Sequence, residues 1–217
     1  MPATLLSLNV GLPRAVSWRG TQVSTGIYKI PVDRRLRLHA LNLDGDGQAD
    51  LSVHGGPDRA VYVYPAEHDA WWRAELERPA LPWGSFGENF TTSGLLETDA
   101  HIGDRFRVGT AQVMVTQPRL PCYKLGLKFG RADLPRHFLA SRRTGFYLRV
   151  VQVGAAGPGD ALELVHRDPQ RVTVAEVTAL YLAGEVDAAC VCRLLRVSAL
   201  PEGWREEFRR RLGASGL

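Results

Sequence analysis

The stretch Ile102-Gly-Asp-Arg-Phe-Arg-Val-Gly-Thr-Ala-Gln-Val-Met-Val-Thr116 decides the fold class. A Gly-Asp turn leads into a short strand over Arg105 to Val108. A second strand, Ala111 to Thr116, alternates its side chains with the period of two expected of a half-buried strand. The pattern recurs outward: Pro158-Gly-Asp160 precedes another strand over Ala161 to Val165. Further strands are predicted over Leu5 to Val10, Gly26 to Val32, Leu36 to Leu38, Ala60 to Tyr64 and Phe146 to Val153. Many short strands with turns between them point to a barrel or sandwich. Helices are predicted over Pro65 to Glu77 and Ala132 to Arg142, so the class is mainly β with α. The irregular stretch from Arg78 to Thr98 is too long for a passive loop and is a candidate functional segment.

The character changes near Asp168-Pro169. Thr173-Val-Ala-Glu176 is a capping box, and Val174, Val177, Leu180 and Tyr181 follow at helical spacing. A second helix is expected over Val186 to Leu195. A third starts at Pro201 and buries Trp204, Phe208 and Leu212, with Arg205, Arg209, Arg210 and Arg211 on its outer face. The expected organisation is a β domain over residues 1–167 and a small three-helix domain over 168–217.

With 45% hydrophobic and 23% charged residues, the 217-residue chain can bury an ordinary globular core. No apolar run approaches the roughly 20 residues needed to span a bilayer. The opening Met1-Pro-Ala-Thr-Leu-Leu-Ser-Leu-Asn-Val10 reads as a strand and not a signal peptide, so a cytoplasmic protein is expected. The net charge is +4, and only Lys29, Lys124 and Lys128 among the cations are lysines. The arginines suit phosphate or carboxylate binding, or simply reflect a GC-rich coding sequence. No nucleic-acid-binding motif accompanies the charge, so no nucleic-acid partner is expected. Cys122, Cys190 and Cys192 form an odd set without a disulfide framework. Cys190-Val-Cys192 lacks redox or zinc spacing, and three cysteines are too few for an all-cysteine iron–sulfur cluster.

Four stretches can carry chemistry. Asn42-Leu-Asp-Gly-Asp-Gly-Gln-Ala-Asp-Leu-Ser-Val53 imitates a calcium loop, but Val53 stands where a bidentate glutamate is needed, and a Gly/Asp turn is the better account. His54-Gly-Gly-Pro-Asp-Arg59 either brings His54 and Arg59 to an anion or is a turn with Asp58 and Arg59 in solvent. Phe86-Gly-Glu-Asn-Phe90 offers Asn89 as donor and acceptor beside a glycine, or forms an ordinary turn. Gln117-Pro-Arg-Leu-Pro-Cys-Tyr-Lys124 stiffens the backbone around Cys122 and flanks it with Arg119 and Lys124, which favour thiolate. Cys122 is then a soft-metal ligand, a nucleophile paired with His54, or a buried unreactive thiol.

Together and in this order, His54-Gly-Gly-Pro-Asp-Arg59, Gly87-Glu-Asn89 and Gln117-Pro-Arg-Leu-Pro-Cys-Tyr-Lys-Leu125 resemble MOSC-domain proteins of the YiiM type. Ser24-Thr-Gly-Ile-Tyr-Lys-Ile-Pro-Val32 is similar to that family's second strand, and the helical tail to its appended C-terminal domain. The resemblance implies a MOSC β-barrel-like fold that carries molybdenum cofactor, molybdopterin with Mo, with Cys122 as the protein thiolate on the metal. It implies reduction of N-hydroxylated compounds such as hydroxylaminopurines or amidoximes. Ser24, Thr25, His54, Arg59, Asn89, Gln117, Arg119 and Cys122 fall at its cofactor-binding positions, with catalytic roles implied for Cys122 as the metal ligand and for His54 as a hydrogen-bond or proton donor on the substrate side. Gln22 stands where some members carry lysine. Electrons would come from a separate NAD(P)H-dependent flavin or iron–sulfur protein, with the basic tail as its expected docking face. The alternative is a carrier that holds sulfur or the cofactor on Cys122.

Overall fold

The computed structural model describes residues 2–49 and 55–214. Its elements in chain order are β1 (Ala3–Val10), β2 (Arg14–Trp18), β3 (Thr21–Thr25), β4 (Ile30–Val32), β5 (Leu36–Leu38), β6 (Val61–Pro65), α1 (Asp69–Glu75), β7 (Phe90–Ser93), β8 (Arg105–Val108), β9 (Ala111–Pro118), α2 (Tyr123–Phe129), α3 (Leu134–Ala140), β10 (Phe146–Gln152), β11 (Gly154–Ala156), β12 (Ala161–His166), α4 (Val174–Leu182), α5 (Ala188–Leu195) and α6 (Glu202–Ala214).

Seven strands close a barrel in the order β1-β12-β8-β9-β10-β6-β7 and back to β1. A ring with an odd number of staves cannot alternate direction all the way round. The mismatch falls at β6 and β7, which run parallel from Val63 opposite Phe90, while every other junction is antiparallel. Antiparallel strands turn back through short loops, but a parallel pair needs a long crossover. This accounts for the stretch that read as irregular: residues 66–89 carry α1 and loops from the end of β6 to the start of β7. β4 extends the sheet beside β1, with Leu8 opposite Val32.

β6 faces two cores. Val61 and Val63 point into the barrel, whereas Tyr62 and Tyr64 point outward into an aromatic cluster with Trp72, Phe86 and Phe138. Burial on both sides explains why this strand reads as a continuous apolar run rather than an alternation. The barrel interior continues without interruption into the tail, where Val177, Val191, Leu194, Trp204 and Phe208 belong to the same cluster as Leu5, Val113 and Phe146.

The expected capping box is formed: Thr173 N–H donates to Glu176 Oε2 (2.7 Å) and Glu176 N–H donates to Thr173 Oγ1 (3.0 Å). The α6 arginines do not make a free basic face. Arg205 donates to Leu195 O (2.7 Å) and Val197 O (2.9 Å), and Arg211 to Tyr181 O (2.8 Å), which satisfies carbonyls exposed at the ends of α5 and α4. Arg209 and Arg210 pair with Glu202 and Glu207 within the helix.

Candidate active site

The Cys122 segment leaves the barrel at the end of β9 and turns into α2, with Cys122 as the extended residue before the first helical turn. Its path is pinned at Arg119, whose N–H donates to Gly145 O (3.1 Å). Gly145 has φ +67°, and a Cβ there would lie 2.2 Å from Val63 O, so only glycine admits this approach. Arg119 is 5% exposed, with its guanidinium 4.9 Å from the Tyr62 ring centre and 5.2 Å from that of Phe138. Burial works against its charge, but Tyr62, Tyr147 and Cys122 around it more than offset this, and its pKa is raised. Its Nη1 is buried with no hydrogen-bond partner among the described residues. A buried guanidinium with an unused donor is costly unless an anion completes it.

This arginine lines a recess of about 730 Å³, counted to its open mouth, together with Cys122, Lys124 and Arg59. The opposite wall comes from the segment after β3 and the loop at Asp46. Asp46 is buried and accepts from Gly11 N–H (3.0 Å), from Asn89 Nδ2 (2.9 Å) and from the Lys29 ammonium. Burial pulls the Lys29 pKa down despite that ion pair. Close to this wall, Lys128 donates to Ile27 O (3.0 Å) and Gly84 O (2.7 Å), and burial lowers its pKa to about 8. Glu88 is buried nearby, its pKa raised by burial although Gly84 and Phe86 N–H groups donate to it (2.6 and 3.0 Å).

Five of the expected residues, Thr25, Arg59, Asn89, Arg119 and Cys122, meet at this recess. Ser24 does not: it precedes Thr25 on β3, so the strand's two-residue period turns it to solvent. Gln117 is buried behind Cys122, accepting the Trp204 indole N–H at 2.6 Å, and faces an adjoining recess rather than this one. His54 lies outside the described residues, so its pairing with Cys122 has no geometry here. Asn89 lines the recess, but its amide is spent on protein: Oδ1 accepts from Tyr62 N–H (3.1 Å), and Nδ2 donates to Asn9 O and Asp46. Its place is that of a brace between β1, β6 and the Asp46 loop.

The Pro57–Arg59 turn is anchored rather than solvated. Asp58 O accepts from Thr116 Oγ1 (2.7 Å), and its carboxylate accepts from Arg149 Nε (2.7 Å). The described part of the calcium-like stretch, residues 42–49, contains a turn and no strand or helix. Asp44 binds His39 (2.7 Å), and Asp46 is saturated by Lys29, Gly11 and Asn89. Among the described residues no group of three or more His, Cys, Asp or Glu could hold a metal ion. A metal here would need an exogenous ligand beside one protein thiolate. Sequence reasoning missed Lys29, Asp46 and Tyr147 as lining residues. Asp46 was visible as a carboxylate in a glycine-rich turn, but nothing in the chain signalled its distant partners.

Comparison with known proteins identifies the family and the overall fold. The MOSC domain model matches residues 50–163, and a model described as YiiM-like, 3-alpha helix domain matches residues 172–213. A Bacillus subtilis (strain 168) relative named uncharacterized protein YflK is 42% identical over 205 residues, covering 94% of this chain and 92% of its own. A protein named reductase from Gibberella moniliformis (strain M3125 / FGSC 7600) is 30% identical over 188 residues, 85% of this chain but 33% of its own length. The crystal structure of YiiM from Geobacillus stearothermophilus matches with a TM-score of 0.81 at 36% identity, covering 97% of this chain and all of that one. With both of its parts matched, the chain belongs to the MOSC-domain family, in the YiiM-type branch that carries an appended three-helix domain.

Proposed function

We propose that this protein binds molybdenum cofactor in the Cys122 recess and reduces N-hydroxylated compounds to the corresponding amines or amidines. The observation that carries the reading is the buried Arg119, which has an unpartnered Nη1 and lines the same recess as Cys122. The residues fit a ligand that is anionic at one end and thiophilic at the other. Arg59, Arg119 and Lys124 would hold the phosphate and the pterin edge, and the Cys122 thiolate, a soft donor, would ligate molybdenum. When bound, the cofactor supplies a metal centre that cycles by two electrons. Around it, the Lys29–Asp46–Asn89 network keeps the recess wall rigid, and the Tyr62 and Phe138 rings hold Arg119 in place.

The net reaction is R–NHOH plus two electrons and two protons, giving R–NH2 and water. The electrons come from a separate NAD(P)H-dependent flavin or iron–sulfur protein. The relative named reductase supports redox chemistry, and this chain spans only a third of it.

The test is metal and pterin analysis of protein produced with ample molybdenum, beside Cys122→Ala and Arg119→Met. Near-stoichiometric molybdenum in the parent and a large loss in both variants is expected. No molybdenum, or equal amounts in parent and Cys122→Ala, would sink the ligand assignment. Retained cofactor without N-hydroxy reduction, given a competent electron donor, would favour a carrier of sulfur or cofactor.

A further inference from the structure

Lys128 lies on α2, the helix that starts directly after Cys122, one turn beyond Lys124 and on the same face of the helix. Lys124 lines the cationic recess. Lys128 reaches instead to the opposite wall, donating to Ile27 O (3.0 Å) and to Gly84 O (2.7 Å). Thr25, Gly26, Ile27 and Lys29 line the recess on that side, yet residues 26–29 form neither strand nor helix. Close packing seats them: a Cβ on Gly11 would lie 2.3 Å from Tyr28 O, and one on Gly84 would lie 2.9 Å from Lys29 O. Lys128 ties this wall to the helix that Cys122 precedes, and so links the two sides of the recess.

The charges around Lys128 call for an anion. Burial is the main cause that lowers its pKa to about 8; Glu88 works the other way, and Lys29, Arg119 and Arg14 add to the lowering. Glu88 is itself buried, with its pKa raised, so it is a poor counterion. The Tyr28 ring centre lies 5.7 Å from the Lys128 ammonium and 3.7 Å from the Arg14 guanidinium, which brings a further cation to the back of the wall. A strongly perturbed group beside a cleft marks a site more often than a scaffold. A dianion in the recess offsets the repulsion among these cations, and by linkage the charge on Lys128 and the anion favour each other.

We propose that Lys128 is a positioning residue for the anionic ligand of the Cys122 recess: it holds the Ile27 wall and the Gly84 turn against α2 and adds its charge from behind that wall. That the ligand is molybdenum cofactor rests on the reading above; the anion and the latch do not. Calorimetric titration of the full chain with inorganic sulfate, which stays a dianion between about pH 7 and 9, tests them directly. Sulfate is expected to bind the parent and to be lost in Arg119→Met, which locates it in the recess. The parent's affinity should fall about threefold across that range as Lys128 loses its proton. Burial of Lys128 favours folding more as pH rises, so a purely structural lysine does not give this sign. At the lower pH, Lys128→Met should bind sulfate about fivefold more weakly than the parent. Lys128→Gln keeps an amide donor for the two carbonyls without a titrating charge, and should flatten the fall with pH. Molybdenum retained on dialysis of the loaded protein should likewise be greater in the parent than in Lys128→Met. No sulfate binding by the parent, binding that survives Arg119→Met, equal affinity in parent and Lys128→Met, or the same pH response in parent and Lys128→Gln overturns the role, even in a protein that holds molybdenum. Sulfate bound with the expected responses by a protein that never takes up molybdenum upholds the role and removes the cofactor reading. Should Lys128→Met fail to fold, the comparison of parent with Lys128→Gln decides.

Discussion

Arg119 owes its position to a residue that carries no chemistry. Gly145 accepts the Arg119 N–H, donates its own N–H to Glu97 Oε1 (2.8 Å), and packs against Val63 O too closely for any Cβ. Gly145→Ala should therefore cost about 2–4 kcal/mol in denaturant unfolding and displace Arg119; a loss below about 0.5 kcal/mol would show that the backbone relaxes freely. Lys128 gives a second prediction. Its pKa is lowered from 10.5 to about 8, so between these values the unfolded chain binds more protons than the folded one. Its burial thus opposes folding fully below about pH 8, and stability rises as pH climbs from there towards 10.5. The chain has only three lysines. In carbon-labelled lysine spectra one signal should titrate with a midpoint near 8, and a midpoint above 10 for Lys128 would refute its burial. Cys122, Arg119 and Arg59 were legible because proline, glycine and charge cluster around them. Lys29 and Asp46 were not, because an ion pair between residues 17 apart, on either side of β4 and β5, leaves no periodic trace.

Among the elements, β7 and its approach carry the most strain on sequence reading. Phe90–Ser93 has only four residues, two of them buried threonines, and it is held by the parallel partner β6. Neither alternation nor an apolar run marks such a strand. The hairpin of β2 and β3 was missed as well, although Arg19 and Gly20 both have positive φ, as a two-residue turn that follows the strand twist demands. α2 escaped because its seven residues contain Gly126, where a Cβ would meet Arg131 O at 2.6 Å. Strand β10 and the tail helices were readable from their periodic burial, whereas β1 and β9, buried over most of their length, were readable as runs of apolar and β-branched residues between turns. Asn89 joins three of these pieces, so Asn89→Leu would strand Tyr62 N–H, Asn9 O and an Asp46 oxygen without partners. A cost of about 3 kcal/mol is expected in urea unfolding. A variant as stable as the parent would mean that the amide braces nothing.

For the whole molecule, one core serves barrel and tail. Phe208 of α6 is fully buried in the same cluster as Leu5 of β1 and Phe146 of β10. Phe208→Ala should remove about 3–5 kcal/mol, and the loss should appear in a single cooperative transition seen alike by strand and helix signals. Two separate transitions, with the barrel melting at its original temperature, would contradict a shared core. Asp104, fully buried, reinforces the join by accepting from Asp168 N–H (3.1 Å) just where the tail begins.

The barrel closes where Ala3 of β1 meets Leu162 of β12. On the ribosome, at roughly 5–20 residues per second, β1 waits on the order of 8–30 s before its closing partner has been made, and longer before Phe208 can plug the interior. In that interval β4 can already cover Leu8 to Val10, so it is the Ala3–Thr4 end of β1 that stays open to pairing with a neighbouring chain. Slower synthesis would lengthen the exposure of that end rather than shorten it.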